Sequence, residues 1–359
     1  MENKILTEMP QYRLRRGLLL ALAILLTMAA CFAAGVYLNS IAYADESQEL
    51  STTSIVAMAA DSVVEISTES VTTGQSMRQY IVEGAGSGVV IRSDGYIITN
   101  NHVIEGASKI TVTLRSGESY EAALVGTDET TDLALLKVDA TGLTTATVGS
   151  SAQLAIGDTA IAIGNPLGEL GGTVTQGIIS ALDREITLDG RTMNLLQTDA
   201  AINPGNSGGG LFNGQGELIG IVVAKSSGSD VEGLGFAIPV DDAMEVLEQL
   251  LSQGYVSGRV DVGMEFQDLT QRTSYMSFFN MGSQSAVYVS SVNKGSNAEK
   301  AGFRSGDRIV SINGAAVSSA SDATALLEAG SVGDRVSIVV VRDNQQATLT
   351  LTLEEYIPD

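Results

Sequence analysis

The chain has 359 residues, 44% of them apolar, with 39 glycines, five prolines and no tryptophan; this balance suits short strands and turns over two or three cored domains and excludes a largely disordered chain. Twenty basic residues against 42 acidic ones give a net charge of −22, which argues against nucleic-acid binding because that needs basic patches. One histidine and one cysteine cannot build a typical zinc site or an intrachain disulfide, so metalloprotease chemistry is excluded and the folded part relies on its core.

Residues 1–16 are polar and carry Lys4, Arg13, Arg15 and Arg16. Gly17 to Leu38 is an uncharged run of 22 residues, long enough at about 1.5 Å per residue to cross a bilayer's hydrocarbon. The basic flank precedes the run, and Asp45, Glu46 and Glu49 follow it. The positive-inside rule then places the N-terminus in the cytoplasm and the rest outside. Two processing alternatives stay open: Ala42-Tyr43-Ala44 is an A-x-A-like cleavage site, and Ala29-Ala30-Cys31 loosely resembles a lipoprotein site. The run is long for a signal core and continues past Cys31, so an uncleaved anchor over 17–38 is the expectation, with 39–54 as a linker.

The following segments read as strands. Val63 to Ser67 alternates, Ser70 to Arg78 reads as a polar loop, and Gly84 to Gly88 leads into Val89-Val90-Ile91. A turn at Ser93-Asp94-Gly95 precedes Tyr96 to Thr99, and further strands lie around 110–114, 122–125, 133–138, 159–163 and 217–224. Short strands broken by Gly and Asp indicate a sandwich or barrel. From Asp241 to Leu251 the apolar positions 243, 244, 247, 250 and 251 have helical spacing, with Asp241 as N-cap and Gly254 as stop. After Arg259 the pattern restarts. A strand at 286–289, a short helix over 296–302, a strand at 307–312 ended by Asn313-Gly314, a helix at 320–327 and strands at 335–342 and 347–353 make a second compact unit.

Three places carry chemistry. In Asn203-Pro204-Gly205-Asn206-Ser207-Gly208-Gly209-Gly210 a serine sits among glycines. Such a turn lets amide N–H groups converge on a developing oxyanion beside the hydroxyl. The single histidine, His102, lies in Thr99-Asn100-Asn101-His102-Val103-Ile104, and Asp132 opens the apolar run Leu133 to Val138. A lone histidine is ordinarily a plain surface or core residue, and serine turns rich in glycine are common. The order His, Asp, Ser is what favours a catalytic triad.

These segments, TNNHVI, TDLALLKVD and GNSGGG in that order, closely resemble the HtrA (Deg) family of trypsin-like serine proteases, from about Ile55 to the C-terminus. The resemblance implies a mostly β fold. A chymotrypsin-like double six-stranded β-barrel over 55–254 would hold the triad in its cleft, followed by a PDZ domain over 258–355 and preceded by the N-terminal transmembrane helix. It implies Ser207 as nucleophile, His102 as general base and Asp132 as its orienting partner. The turn Gly205-Asn206-Ser207 would form the oxyanion hole through the amides of Gly205 and Ser207. The strand Val222, Val223 and Ala224 would pair with substrate, and Lys225 would fall near the primary side-chain pocket, with small aliphatic residues favoured before the cut. Val262, Gly263 and Met264 would belong to a carboxylate-binding loop of the PDZ domain, although Asp261 stands where the family usually has tyrosine. Gly210 stands where the family usually has proline or alanine.

The activity implied is that of an ATP-independent serine endopeptidase without cofactor or metal, acting outside the cytoplasm in protein quality control. Its substrates would be unfolded or misfolded proteins, with peptide ligands for the PDZ domain and assembly as a homotrimer. No G-x-x-x-x-G-K-[ST] motif occurs in the chain. The alternative is a catalytically idle peptide-binding scaffold or holdase. As to topology, the full-length protein is expected to fractionate with membranes, a tag before Lys4 staying protected from protease added outside. A soluble form starting at Asp45 would instead establish cleavage after Ala44.

Overall fold

The apolar runs of this chain are continuous because most of its central strands face two cores at once. In Leu133 to Val138, Leu133 and Leu135 point into one cluster, and Ala134, Leu136 and Val138 into another. Likewise Ile161 and Ile163 enter the first cluster, while Ala160 and Ala162 enter a third. Period-two side chains with both faces buried read as unbroken hydrophobic segments. The first cluster is the seam between two closed barrels, and the other two are the barrel interiors.

The structure is a computed structural model that describes residues 23, 25–33, 50–73, 79–165, 172–188, 191–203, 205–223, 234–271 and 284–358. The first barrel comprises β1 (Val63–Thr73), β2 (Gln79–Arg92), β3 (Tyr96–Asn100), β4 (Lys109–Thr113), β5 (Ser119–Asp128) and β6 (Leu133–Val138). They close in the order β1-β2-β3-β6-β5-β4. The second comprises β7 (Thr159–Gly164), β8 (Thr173–Leu188), β9 (Arg191–Thr198), β10 (Gly210–Phe212), β11 (Leu218–Val223) and β12 (Gly235–Pro239). These close as β10-β11-β12-β9-β8-β7. Closure removes the free edges that so many short strands would otherwise expose.

Helix α1 (Thr52–Ala59) starts inside the segment read as linker, because Ser51 caps it by accepting from the Ser54 amide and Ile55 is fully buried in the seam. A single turn, α2 (Asn101–Ile104), follows β3 directly. Helix α3 (Val240–Gln253) lays Val240, Ala243, Val246, Leu247 and Leu250 on the seam and ends at Gly254 with φ +82°. Its N-cap is Pro239, not Asp241. Asp241 instead accepts bonds from the Ser150 and Ser151 hydroxyls and the Ala152 amide. Burial pushes its carboxyl up, but those donors outweigh burial and hold it below the ordinary carboxylate range.

Two further expectations change. The start of the stretch read as a loop at 70–78 is strand: β1 and β2 pair in register out to Thr73 and Gln79, and residues 74–78 lie outside the described residues. The glycines read as leading into β2 lie within it, because a Cβ on Gly84, Gly86 or Gly88 would come within 2.6 to 2.7 Å of Thr68, Val103 or Ile97. Strands β8 and β9 were not legible, since Asp183 at φ +51° and two register shifts break the alternation of β8.

The C-terminal unit contains β13 (Val260–Asp261), β14 (Met264–Gln271), β15 (Gln284–Val292), α4 (Asn297–Ala301), β16 (Arg308–Ile312), β17 (Ala315–Ala316), α5 (Ala320–Glu328), β18 (Arg335–Arg342), β19 (Gln345–Thr352) and β20 (Glu354–Glu355). The main sheet runs β14-β15-β16-β18-β19, with β17 on β16, and β13 pairs β20. Phe303, Ile309, Ala323, Leu327, Ile338 and Leu351 belong to its separate core. Residues 25–33, described apart from this body, are helical and exposed. Most of the 17–38 segment lies outside the described residues, and among those described no helix is long and apolar enough to cross a membrane.

One buried charge pair braces the C-terminal unit. Arg342 grips Asp307 with Nε and Nη2 at 2.6 and 2.7 Å, and Nη2 also donates to the Gly302 carbonyl at 2.8 Å. The hydrogen bonds from Arg342 to Asp307 raise the guanidinium pKa. Lysine cannot reproduce this fork. Arg342→Lys is therefore expected to lower the stability of the C-terminal unit by about 2 kcal/mol, read as an earlier transition in thermal denaturation while that of the barrels stays in place.

Candidate functional site

The register between β3 and β6 assembles the first part of the site. Asn100 lies opposite Leu133, so the residue before β6 and the turn after β3 are forced side by side. Asp132 is that residue, and His102 sits in that turn. The Asn101 amide and the Asn100 side-chain amide both donate to the Asp132 carbonyl at 3.0 Å. The Asp132 carboxylate accepts from the His102 backbone N–H at 2.9 Å and lies 2.6 Å from His102 Nδ1. Both side chains are shielded, at 17% and 7% exposure. Asp132 has φ +55°, an uncommon conformation for a residue with a Cβ. The two donors on its carbonyl hold it there.

The loop before Asp132 is braced at its base. Asp128, almost fully buried at the end of β5, accepts from the Thr131 hydroxyl at 2.7 Å. It also receives both prongs of Arg259 at 2.9 and 2.5 Å. Arg259 lies just before β13, so the loop carrying Asp132 is tied to the start of the C-terminal unit.

Ser207 comes from the second barrel. Gly205 has φ +98°, and the Asn206 amide bonds back to the Asn203 carbonyl at 3.0 Å, a turn that needs glycine in its third place. Beyond it, the Gly208 amide donates to the Val222 carbonyl and the Val222 amide to the Gly209 carbonyl, each at 2.9 Å. A Cβ on Gly208 would stand 2.2 Å from the Ser87 carbonyl oxygen, and φ is +79° there, so only glycine serves. The Ser207 carbonyl accepts from the Ser87 amide at 2.8 Å. That carbonyl and Val103 of α2 both crowd Gly86, which places the serine beside the turn that carries His102. Gly210 is explained by packing, since a Cβ there would meet the Phe212 ring at 2.5 Å.

His102, Asp132, Gly205, Asn206 and Ser207 are thus brought to the junction of the two barrels. Val222 and Val223 are buried, Val222 in the second barrel's interior and Val223 in the seam, and Val222 spends its backbone groups on the serine loop. Ala224 and Lys225 lie outside the described residues. Val262, Gly263 and Met264 line a cavity of about 470 Å³ together with Phe266 and Thr324 of the C-terminal unit and Thr127 to Thr130 of the first barrel. Asp261 Oδ1 accepts from the Gly263 amide there at 2.7 Å. No group of His, Cys, Asp and Glu among the described residues could hold a metal ion. Ser87, Asn100 and the Asp128–Arg259 pair were not foreseen; only the close packing implied by Gly86-Ser87-Gly88 hinted at the first.

Comparison with known proteins agrees with this architecture. Residues 86–221 match the trypsin-like peptidase domain and residues 260–353 the PDZ domain. The chain is 47% identical to the serine protease Do-like HtrB of Bacillus subtilis (strain 168), over 74% of this chain and 61% of that protein. It is 40% identical to the serine protease Do-like HtrA of Lactococcus lactis subsp. cremoris (strain MG1363), over 76% and 72%. Among solved structures, the HtrA-type protease AlgW with decapeptide is 36% identical and superposes with a TM-score of 0.54 over 86% of this chain and 100% of that one. The chain spans less than two thirds of the length of the Bacillus relative.

Proposed function

Because the chain belongs to the HtrA family of serine proteases, we propose that it is an ATP-independent serine endopeptidase that cuts unfolded or misfolded protein segments outside the cytoplasm. The observation that carries this reading is the 2.6 Å contact between His102 Nδ1 and Asp132. With Nδ1 engaged, Nε2 is the nitrogen left to take the proton of the Ser207 hydroxyl. Asp132 fixes that tautomer and stabilises the imidazolium as Ser207 attacks the scissile carbonyl. The amides of Gly205 and Ser207 receive the oxyanion. His102 then returns the proton to the leaving amine, and water repeats the sequence on the acyl-enzyme.

The finer parts of the reading follow the same family logic. An anchor over 17–38 holds the protein to the membrane, the barrels assemble as a homotrimer, and the PDZ domain takes extended peptides along β14, an edge strand beside α5. The strand end at Val223 and Ala224 would pair with the substrate backbone, and Lys225 would fall near the primary side-chain pocket. Val222 would not pair with substrate, because both its backbone groups are bonded to the serine loop.

Two experiments test these assignments. A fluorophosphonate probe should label the full-length protein, casein should be degraded without ATP, and both should vanish in Ser207→Ala. A folded protein that neither labels nor cleaves casein would be a scaffold or holdase. At the PDZ loop, a ligand carboxylate meets the Asp261 carboxylate at the amide it would use. Asp261→Asn is expected to tighten binding of a peptide with a free, apolar C-terminus by about tenfold, measured by fluorescence anisotropy in the Ser207→Ala background. Unchanged affinity would remove Asp261 from specificity.

A further inference from the structure

The structure assigns to Ser87 the role of a positioning residue that holds the Gly205 turn open for the oxyanion; this rests on the protease reading above. Ser87 lies on β2 of the first barrel, two residues from Val89 and on the same strand face, which turns it toward the seam. Its side chain is fully buried. A buried hydroxyl is tolerated only when its hydrogen bonds are made, and here every polar group of the residue is engaged. Oγ donates to the Gly205 carbonyl at 2.6 Å and accepts from the Asn165 amide at 2.8 Å. The backbone N–H donates to the Ser207 carbonyl at 2.8 Å, and the Ser87 carbonyl accepts from the Thr99 hydroxyl at 2.7 Å.

One residue of the first barrel therefore grips both ends of the three-residue turn that belongs to the second. The carbonyl of Gly205 and the carbonyl of Ser207 are pinned by Oγ and N of the same serine. A peptide unit is planar, so fixing the Gly205 carbonyl fixes the plane of the Gly205–Asn206 peptide and limits rotation about the glycine. Glycine at φ +98° has no side chain to restrain it; within the turn the Asn206 amide bonds back to the Asn203 carbonyl, while the Gly205 carbonyl is held by Ser87 Oγ. Asn206 is buried, but among the described residues neither its Oδ1 nor its Nδ2 has a hydrogen-bond partner. The clamp on the Gly205 carbonyl is thus the hydroxyl from across the seam. Donors for an oxyanion help only if they are held before the charge develops, so loss of the clamp should weaken the transition state more than substrate binding.

The test uses the full-length protein and a fluorogenic peptide substrate that the wild type cleaves. Ser87→Ala is expected to lower kcat by about tenfold with KM changed by less than about twofold, and to slow fluorophosphonate labelling in proportion. The shape of the pH profile should stay that of the wild type, because His102 and Asp132 are untouched. Ser87→Thr, which keeps the hydroxyl, should recover turnover. Ser87→Cys keeps the volume with only a weak donor and serves where Ser87→Ala fails to fold. It should behave as the alanine variant does. A folded Ser87→Ala or Ser87→Cys protein with wild-type kcat overturns the assignment, as does a loss of kcat that merely follows the unfolded fraction. A wild type that never labels at Ser207 would instead overturn the protease reading itself.

Discussion

The pairing of β3 with β6 is the constraint on which the rest of this molecule depends. It is set by two runs, Ile97-Ile98-Thr99 and Leu133 to Val138, whose side chains, Lys137 apart, are buried and have no exposed face to slide onto. A slip of one residue would exchange the seam residues with those of the barrel interior, and Leu135 would trade places with Ala134. Because that exchange is so costly, the ends of the strands are fixed to within a fraction of a residue. The histidine and aspartate just beyond those ends inherit this precision without any bond of their own being needed to find the register. The bonds to the Asp132 carbonyl then hold a backbone conformation that an isolated aspartate would leave.

The serine side of the site is organised on the opposite principle. Its turn is short and rich in glycine, and besides its own bonds from the Asn206 amide to Asn203 and the Gly209 amide to Asn206 it is held from outside. β11 holds it from one side through Val222, and β2 of the other barrel holds it through Ser87. The site is thus a property of the seam and not of either barrel. The apolar cluster that joins the barrels and seats α1 and α3 keeps these donors and acceptors at bonding distance.

Much of this was legible in the chain because the decisive signals are local. Continuous apolar runs announced the buried strands, Asn313-Gly314 its turn, and the motifs around His102, Asp132 and Ser207 the site. What escaped was non-local. Ser87 is 118 residues from Gly205, and Arg259 is 131 residues from Asp128; no periodicity links such pairs. Asp241 looked like a cap because it sits where a cap would, and its true partners at Ser150, Ser151 and Ala152 come from a distant loop. β8 was hidden by its own bulges, and α1 by a polar start that read as linker although Ile55 anchors it in the seam.

The Asp128–Arg259 pair sets a limit on modularity. The chain looks like a string of exchangeable parts, a barrel pair followed by a PDZ unit. Yet the carboxylate that braces the Asp132 loop finds its counter-charge on the far side of that boundary. Graft a foreign C-terminal unit that lacks an arginine at the junction, and Asp128 becomes a buried charge without its partner, a state proteins rarely tolerate. Recombination within this architecture therefore has a chemical rule of its own: the boundary can be cut after Arg259, but not before it.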